Sequence, residues 1–166
     1  MTRIKWLVIG TAVASLMACG GSPSAPTPPA NIAGSYNASV TASSTCSANL
    51  PSATQVLNYG AEVSQTGATA LVQFLPHGGS AVTATATVSG ETINFPSVSF
   101  SGITPGGAVS FVATTGKANV AANGEITGTL SGTYQTASGT SCNAADHQLQ
   151  MRRCVVTCSG NVCTCA

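Results

Sequence analysis

The stretch that decides the fold is KANVAANGEITGTLSGTY, residues 117–134. Asn123-Gly124 lies at its centre, and both residue types tolerate the positive φ that a two-residue type I′ turn requires. The pair predicts a hairpin that joins a strand around 117–121 to a second strand over 126–134. An antiparallel β-structure is therefore the starting hypothesis for the whole chain.

Apolar residues recur at every second position on both sides of this hairpin, between turns rich in Gly, Asn and Ser. No segment carries a helical stripe, and Pro96 predicts a break in its strand, at an edge or a bulge. We predict an all-β fold, an antiparallel meander of about eight to ten strands. A closed up-and-down barrel is favoured over a two-sheet sandwich, which periodicity does not exclude. The other alternating segments are 36–40, 57–63, 72–74, 82–88, 93–95, 98–100 and 109–111.

The second strand of the hairpin, ITGTLSGTY at 126–134, places Gly128 and Gly132 on the same face as its large apolar residues. Small inward residues suit a tightly curved sheet. This nine-residue segment resembles a barrel strand of the lipocalin and avidin families. The resemblance implies a barrel and carries no ligand chemistry.

The N-terminal 18 residues differ in kind from the remainder of the chain. Arg3 and Lys5 precede an apolar run from Trp6 to Ala14, which is the layout of a secretory signal. The run has about half the length that a membrane-spanning helix needs. We therefore predict a cleavable signal peptide over residues 1–18.

The end of this segment, Leu16-Met17-Ala18-Cys19, resembles the lipobox of bacterial lipoproteins. The resemblance implies that Cys19 receives a lipid, that cleavage occurs before it, and that acyl chains anchor the protein in a membrane. Gly20, where a residue other than Asp follows the cysteine, implies the outer membrane in an organism that has one. An ordinary signal peptide that happens to contain Cys is the alternative.

Residues 19–31 are rich in Gly, Ser and Pro and are predicted to form a tether. Residues 32–166 then form one domain of 135 residues (166 − 32 + 1), which is long enough to bury a core. Three basic and four acidic residues give this domain a charge of −1. Such a surface offers no footprint for nucleic acid.

Six cysteines remain when Cys19 is set aside from the seven in the chain. An even number in an exported domain predicts three disulfides, for which fifteen connectivities exist. A metal site is the rival interpretation, but the paired Cys-x2-Cys knuckles of structural zinc sites are missing. No metal or other cofactor is expected. The six are Cys46, Cys142, Cys154, Cys158, Cys163 and Cys165.

The last four cysteines lie in a predicted C-terminal hairpin whose register decides the bonding. A turn at Gly160-Asn161 places Cys158 opposite Cys163, at a separation that suits a disulfide. A turn at 159–160 places Cys154 opposite Cys165 instead. We predict the pair Cys158–Cys163, together with a long-range pair Cys46–Cys142 between the first loop and the last strands.

Candidates for catalysis are few, and we expect no enzyme. There is neither a Gly-x-Ser-x-Gly elbow nor a Gly-x-Gly nucleotide fingerprint. Asp146 and His147 are neighbours on a predicted strand, so their side chains should point to opposite faces. His77 lies in a turn, where a solvated histidine is the commoner case.

Two function classes remain, with an enzyme a distant third. The first is a membrane-anchored, non-catalytic binding module for a small apolar ligand, a glycan or a protein partner. The second is a structural surface lipoprotein. A binding barrel should have an internal cavity, whereas a structural one should have a filled interior. The residues expected to line such a cavity are Tyr36, Tyr59, Phe74, Phe111 and Tyr134.

Overall fold

A computed structural model of the protein describes residues 27–76 and 80–154, together with the backbone of 156–159 and 162–165. Two one-turn 3-10 helices, Ser44–Cys46 and Ser52–Thr54, lie between the first two strands. The strands are β1 (Gly34–Thr41), β2 (Val56–Thr66), β3 (Thr69–Pro76), β4 (Val82–Ser89), β5 (Thr92–Phe95), β6 (Val98–Thr104), β7 (Gly107–Val120), β8 (Ile126–Thr136), β9 (Ser141–Arg153), β10 (Val156–Ser159) and β11 (Val162–Cys165).

Nine of these strands form one antiparallel sheet in the order β5-β4-β3-β2-β1-β9-β8-β7-β6. A further pairing of β5 with β7 closes the sheet. Eight strands therefore form a closed barrel, and β6 is an additional strand beside β7. The prediction of an antiparallel up-and-down barrel is confirmed.

β5 and β6 are two halves of one interrupted strand. Phe95 pairs with Gly116 of β7 and Val98 pairs with Ala113, so the register on β7 continues across the break. The interruption falls at Pro96, which has no backbone N–H for the ladder. The predicted break at Pro96 is confirmed, and β6 is an edge strand because only β7 pairs with it.

The hairpin over 117–134 forms, but its turn differs from the prediction. Residues 121–125 separate the strands, and the Gly124 N–H donates to the Ala121 carbonyl at 2.8 Å. Within this loop Gly124 has a positive φ, of 80°, whereas Asn123 does not. The side-chain oxygen Oδ1 of Asn123 instead accepts a hydrogen bond from the Glu125 N–H at 3.0 Å. The two-residue type I′ turn is therefore wrong, since this Asn side chain stabilises a wider loop that needs a single left-handed glycine.

The glycines on the inner face of β8 permit close contact with β7. A Cβ atom on Gly132 would meet the Val112 carbonyl oxygen, and would lie 2.8 Å from both Ala113 Cα and Phe111 Cε2. Gly128 is similarly close to the backbone of Lys117. The predicted inward position of both glycines is confirmed, and it allows two strands to curve tightly around the core.

We expect Gly132→Ala to destabilise the fold by about 1–3 kcal/mol, because the added methyl group overpacks a rigid strand contact. Gly60→Ala is the matched control, since a Cβ there meets its nearest atom, Leu75 Cβ, at an ordinary 3.9 Å. Urea denaturation of both variants provides the comparison. Equal midpoints for the two variants would contradict the close approach of β7 and β8.

The segment 27–33 crosses one end of the barrel before β1 begins. The Ala30 N–H donates to the Gly90 carbonyl at 2.8 Å, and the Ile32 N–H donates to Gln65 Oε1 at 2.8 Å. The Ile32 side chain is buried, and its carbonyl accepts from Tyr36 Oη at 2.8 Å. The chain preceding the barrel is thus fixed at this end, which we call the tether end. The opposite end, which we call the far end, carries residues 42–55, 105–106 and 137–140.

Candidate functional site

Aromatic rings in mutual contact fill the barrel interior. Tyr59, Phe74 and Phe100 have ring centroids 4.9 to 6.0 Å apart. Phe100 continues the cluster to Phe111 at 5.8 Å, and Phe111 stacks on Tyr134 at 4.8 Å. All five residues that were expected to line a cavity are buried, so they lie inside as predicted. Four of them, Tyr59, Phe74, Phe111 and Tyr134, belong to this ring cluster, whereas Tyr36 contacts Arg153 instead. Phe100, which was assigned only to a strand, is the ring that joins the two halves of the cluster.

The hydroxyl groups of the inner tyrosines are hydrogen-bonded to the backbone. Tyr134 Oη donates to the Val40 carbonyl at 2.6 Å, and Tyr59 Oη donates to the Ser101 carbonyl at 3.1 Å. Burial raises the pKa of Tyr59 to about 12 and raises the pKa of Tyr134 further. These hydroxyls therefore remain protonated and position strands within the core.

His147 completes the cluster and is fully buried, with 0% exposure. Its Nδ1 accepts from the Ser43 N–H at 3.0 Å, so Nε2 carries the proton and donates to the Gly132 carbonyl at 3.1 Å. Burial lowers the pKa of His147. The neighbouring Asp146 is exposed, which confirms that the two side chains point to opposite faces. Both imidazole nitrogens are engaged with backbone groups.

A disulfide between Cys46 and Cys142 ties the far-end loop to β9. The two Cα atoms are 5.6 Å apart and the residues are separated by 96 positions in sequence. Ser43 lies in the same far-end segment, residues 42–55, so the disulfide and the hydrogen bond to His147 fix this segment at two places. The predicted long-range pair Cys46–Cys142 is confirmed.

β10 and β11 form a separate hairpin after the barrel. Its register places Cys158 opposite Cys163 and Val156 opposite Cys165, which confirms the predicted register and excludes Cys154 facing Cys165 in that ladder. Cys154 is itself disulfide-bonded. The side chains of the other three cysteines lie outside the described residues, so the pair Cys158–Cys163 stays a prediction.

Three charged residues near the tether end, Glu125, Arg152 and Arg153, form contacts within the chain. Arg152 Nε lies 3.2 Å from Glu125 Oε1 at the surface. Hydrogen bonds from Gln150 and Arg152 lower the pKa of Glu125. Arg153 Nη2 donates to the carbonyls of Asn31 and Ala33 at 3.3 and 3.2 Å, and so holds the segment before β1.

The far end carries a depression beside β6, which we call the far-end notch. It has a volume of about 100 Å³ and includes Val56, Pro76, Ile103 and Pro105 in its lining. Ile103 is 70% exposed, the most exposed of the large hydrophobic residues in the described chain, and Val56 is 40% exposed. A larger depression of about 310 Å³ lies on the outer faces of β2 to β4, beside Leu71. The larger depression lies on the outer surface of the barrel, whereas the far-end notch lies between the start of β2 and the end of β6 and also reaches the buried residues Leu57 and Thr104.

Within the described residues, no group of three or more His, Cys, Asp or Glu side chains is arranged to hold a metal ion. The same part of the chain contains no helix that could cross a membrane. Cys19, the segment 1–18 and His77 lie outside the described residues. The predictions made for them therefore stay predictions.

Comparison with models of protein families, with curated proteins and with solved structures finds no match to this chain.

Proposed function

We propose that the protein is a lipoprotein of the cell envelope, anchored in a membrane through Cys19, whose β-barrel binds a partner on its outer surface. The barrel is a non-catalytic module in this proposal. The filled interior is the observation that directs binding to the outside. A protein or a glycan can bind there, whereas a small apolar ligand would need the volume that the rings occupy.

The sequence supports the anchor. A basic start, an apolar run and Leu16-Met17-Ala18-Cys19 together resemble a lipoprotein signal. If Cys19 carries acyl chains, the residues that follow it lead to segment 27–33 and hence to the tether end. The far end then faces away from the bilayer, with the Cys46–Cys142 loop and the far-end notch.

A structural surface lipoprotein is the second candidate. The same filled interior favours it, because a domain that serves only as a spacer or a coat has no need of a cavity. The two candidates differ in one property, since a binding module must recognise a partner on its outer surface.

The anchor is tested by the intact mass of protein extracted from membranes with detergent. We expect the wild type to have a mass that corresponds to cleavage before Cys19 plus acyl chains, and the Cys19→Ala variant to lack that modification. Six additional alkyl groups should appear only after reduction, if the six remaining cysteines form three disulfides.

Ser22→Ala is the matched control for this experiment, because it changes a small residue of the predicted tether and should leave acylation intact. A wild-type protein that is soluble and unlipidated would overturn the anchor. Cysteines that alkylate without reduction would instead overturn the three-disulfide framework, and these two results are independent of each other.

A further inference from the structure

The loop between β7 and β8 contains a chemically labile pair of residues. Asn123-Gly124 is the only Asn-Gly dipeptide in the sequence, since each of the other eight asparagines is followed by a residue larger than glycine. Asparagine is a labile residue, and a following glycine leaves its own backbone nitrogen unshielded because it has no side chain. The Asn123 side chain is also exposed to solvent. The loop is therefore a place where a side-chain amide can react with the backbone.

A hydrogen bond in this loop holds the two reacting groups together. Asn123 Oδ1 accepts from the Glu125 N–H at 3.0 Å. The ring that this bond closes contains both Cγ of Asn123 and the backbone nitrogen of Gly124, because both atoms lie on the covalent path from acceptor to donor. The Asn123 side chain is thus folded back over the peptide unit that would attack it, which is the arrangement of an Asx turn.

Two neighbouring groups stabilise the charges that develop during such an attack. The Glu125 N–H already points at Oδ1, where negative charge accumulates as Cγ becomes tetrahedral. Arg153 lies beside Gly124, since a Cβ atom built on this glycine would be 3.4 Å from Arg153 Nε. A guanidinium at this distance attracts the negative charge that forms on the attacking nitrogen as its proton leaves.

One contact in the loop opposes the reaction. The Gly124 N–H donates to the Ala121 carbonyl at 2.8 Å, which engages the proton that the nitrogen must lose. Ala121, Ala122 and Asn123 are all exposed, and hydrogen bonds in exposed loops open at a small cost in free energy. This bond therefore slows the attack without preventing it.

We propose that Asn123 is a site of spontaneous modification, at which the Gly124 nitrogen, assisted by Arg153, converts the side-chain amide to a carboxylate. The nitrogen forms a bond to Cγ of Asn123 while the bond from Cγ to Nδ2 breaks. The amide proton of Gly124 leaves with the Nδ2 group as ammonia. Water then opens the resulting succinimide ring at either of its carbonyl carbons, which gives aspartate or isoaspartate at position 123.

The product places a new negative charge next to Glu125 at the tether end. The charge of the domain changes from −1 to −2 (−1 − 1). Aspartate keeps the oxygen that accepts from the Glu125 N–H, whereas isoaspartate adds a methylene group to the backbone where β7 joins β8. The reaction needs neither a lipid anchor nor a binding partner, so it is independent of the proposed function.

The test is incubation of the folded protein at neutral pH, followed by peptide mapping with mass spectrometry. We expect Asn123 to gain the mass of about 1 Da that accompanies conversion of an amide to an acid. Asn37 is the internal control, because it is also exposed but precedes Ala38, and it should remain unchanged. The Asn123→Asp variant provides the reference for the charge of the aspartate product in ion-exchange chromatography.

Arg153→Gln should slow the conversion about threefold, which is the effect expected for one charge near the surface. Arg152→Gln is the matched control, since the Arg152 guanidinium instead contacts Glu125 Oε1 at 3.2 Å, and it should convert at the rate of the wild type. In denaturant all three proteins should convert at the same rate, because unfolding separates Arg153 from the loop.

An Asn123 side chain that converts in denaturant but stays intact in the folded protein would overturn the proposal. Equal rates in the folded wild type and in folded Arg153→Gln would overturn the assistance by Arg153. Circular dichroism establishes that each variant is folded. If Arg153→Gln does not fold, the comparison of folded and denatured wild type still decides whether Asn123 is modified in the native loop.

Discussion

Replacement of both Cys46 and Cys142 by alanine is expected to lower the free energy of unfolding by about 4–5 kcal/mol in the chain-entropy account of disulfides. The effect is large because the bond closes a loop with a sequence separation of 96 residues. Urea denaturation, with all other disulfides kept oxidised, measures the difference. A loss of this size is a substantial fraction of the stability of a domain of this length.

The double variant avoids a single unpaired thiol that could exchange with the C-terminal cysteines. Ala42→Gly is a suitable control for disturbance of the same segment, because Ala42 is a buried residue of the segment 42–55 that takes no part in the disulfide. A double variant that loses less than about 1 kcal/mol would show that the far-end loop is held by its other contacts, and that the denatured chain is already compact.

Acidification below about pH 6.5 is expected to reduce stability through His147. Its pKa is lowered in the folded protein, so the unfolded chain binds the extra proton first as the pH falls. The contribution of His147 is therefore fully present above the unfolded pKa of about 6.5, and is lost as the pH falls toward the folded pKa. The slope can reach about 1.4 kcal/mol per pH unit for one proton.

The structural reason for this pH dependence is the hydrogen bond that Nδ1 of His147 accepts. Protonation would place a second donor against the Ser43 N–H, which now donates to that nitrogen. Thermal denaturation at several pH values should show the slope in the wild type and in His77→Ala, and little slope in His147→Gln. An unchanged slope in His147→Gln would exclude His147 as the source of the pH dependence. Carboxylates do not confuse the comparison, because their ordinary pKa values of about 4 place their contribution mainly at lower pH.

The sequence predicted the fold class because the alternation of apolar residues and the positions of the turns are local signals. The break at Pro96 could be predicted for the same reason, since the missing N–H is a property of that residue alone. The turn at Asn123-Gly124 was assigned wrongly because Asn can either adopt a positive φ or cap the loop with its side chain. Which of these two conformations Asn123 adopts depends on the relative geometry of β7 and β8 where the loop joins them.

The filled interior could not be predicted from the sequence. Tyr59 and Phe111 were expected to point inward, but alternation does not give the distance between rings on different strands. Phe100 joins their clusters because the interrupted strand brings it across the barrel. His147 was assigned to a strand, but its complete burial depends on the long-range approach of the segment around Ser43. The contact of β6 with β2 likewise depends on tertiary structure, because Tyr59 Oη reaches the Ser101 carbonyl across 42 positions of sequence.

The pairing of β1 with β9 bears on how this protein folds. Tyr36 is paired with Arg153, and Thr41 with Gln148, so the first strand of the barrel completes its ladder with the last. A chain that emerges with its N terminus first must therefore hold β1 without one neighbour until almost the whole barrel has been delivered. Contacts between such distant residues slow folding. Closure of the barrel by the ladder between β1 and β9 is therefore an event that follows synthesis of the last strand.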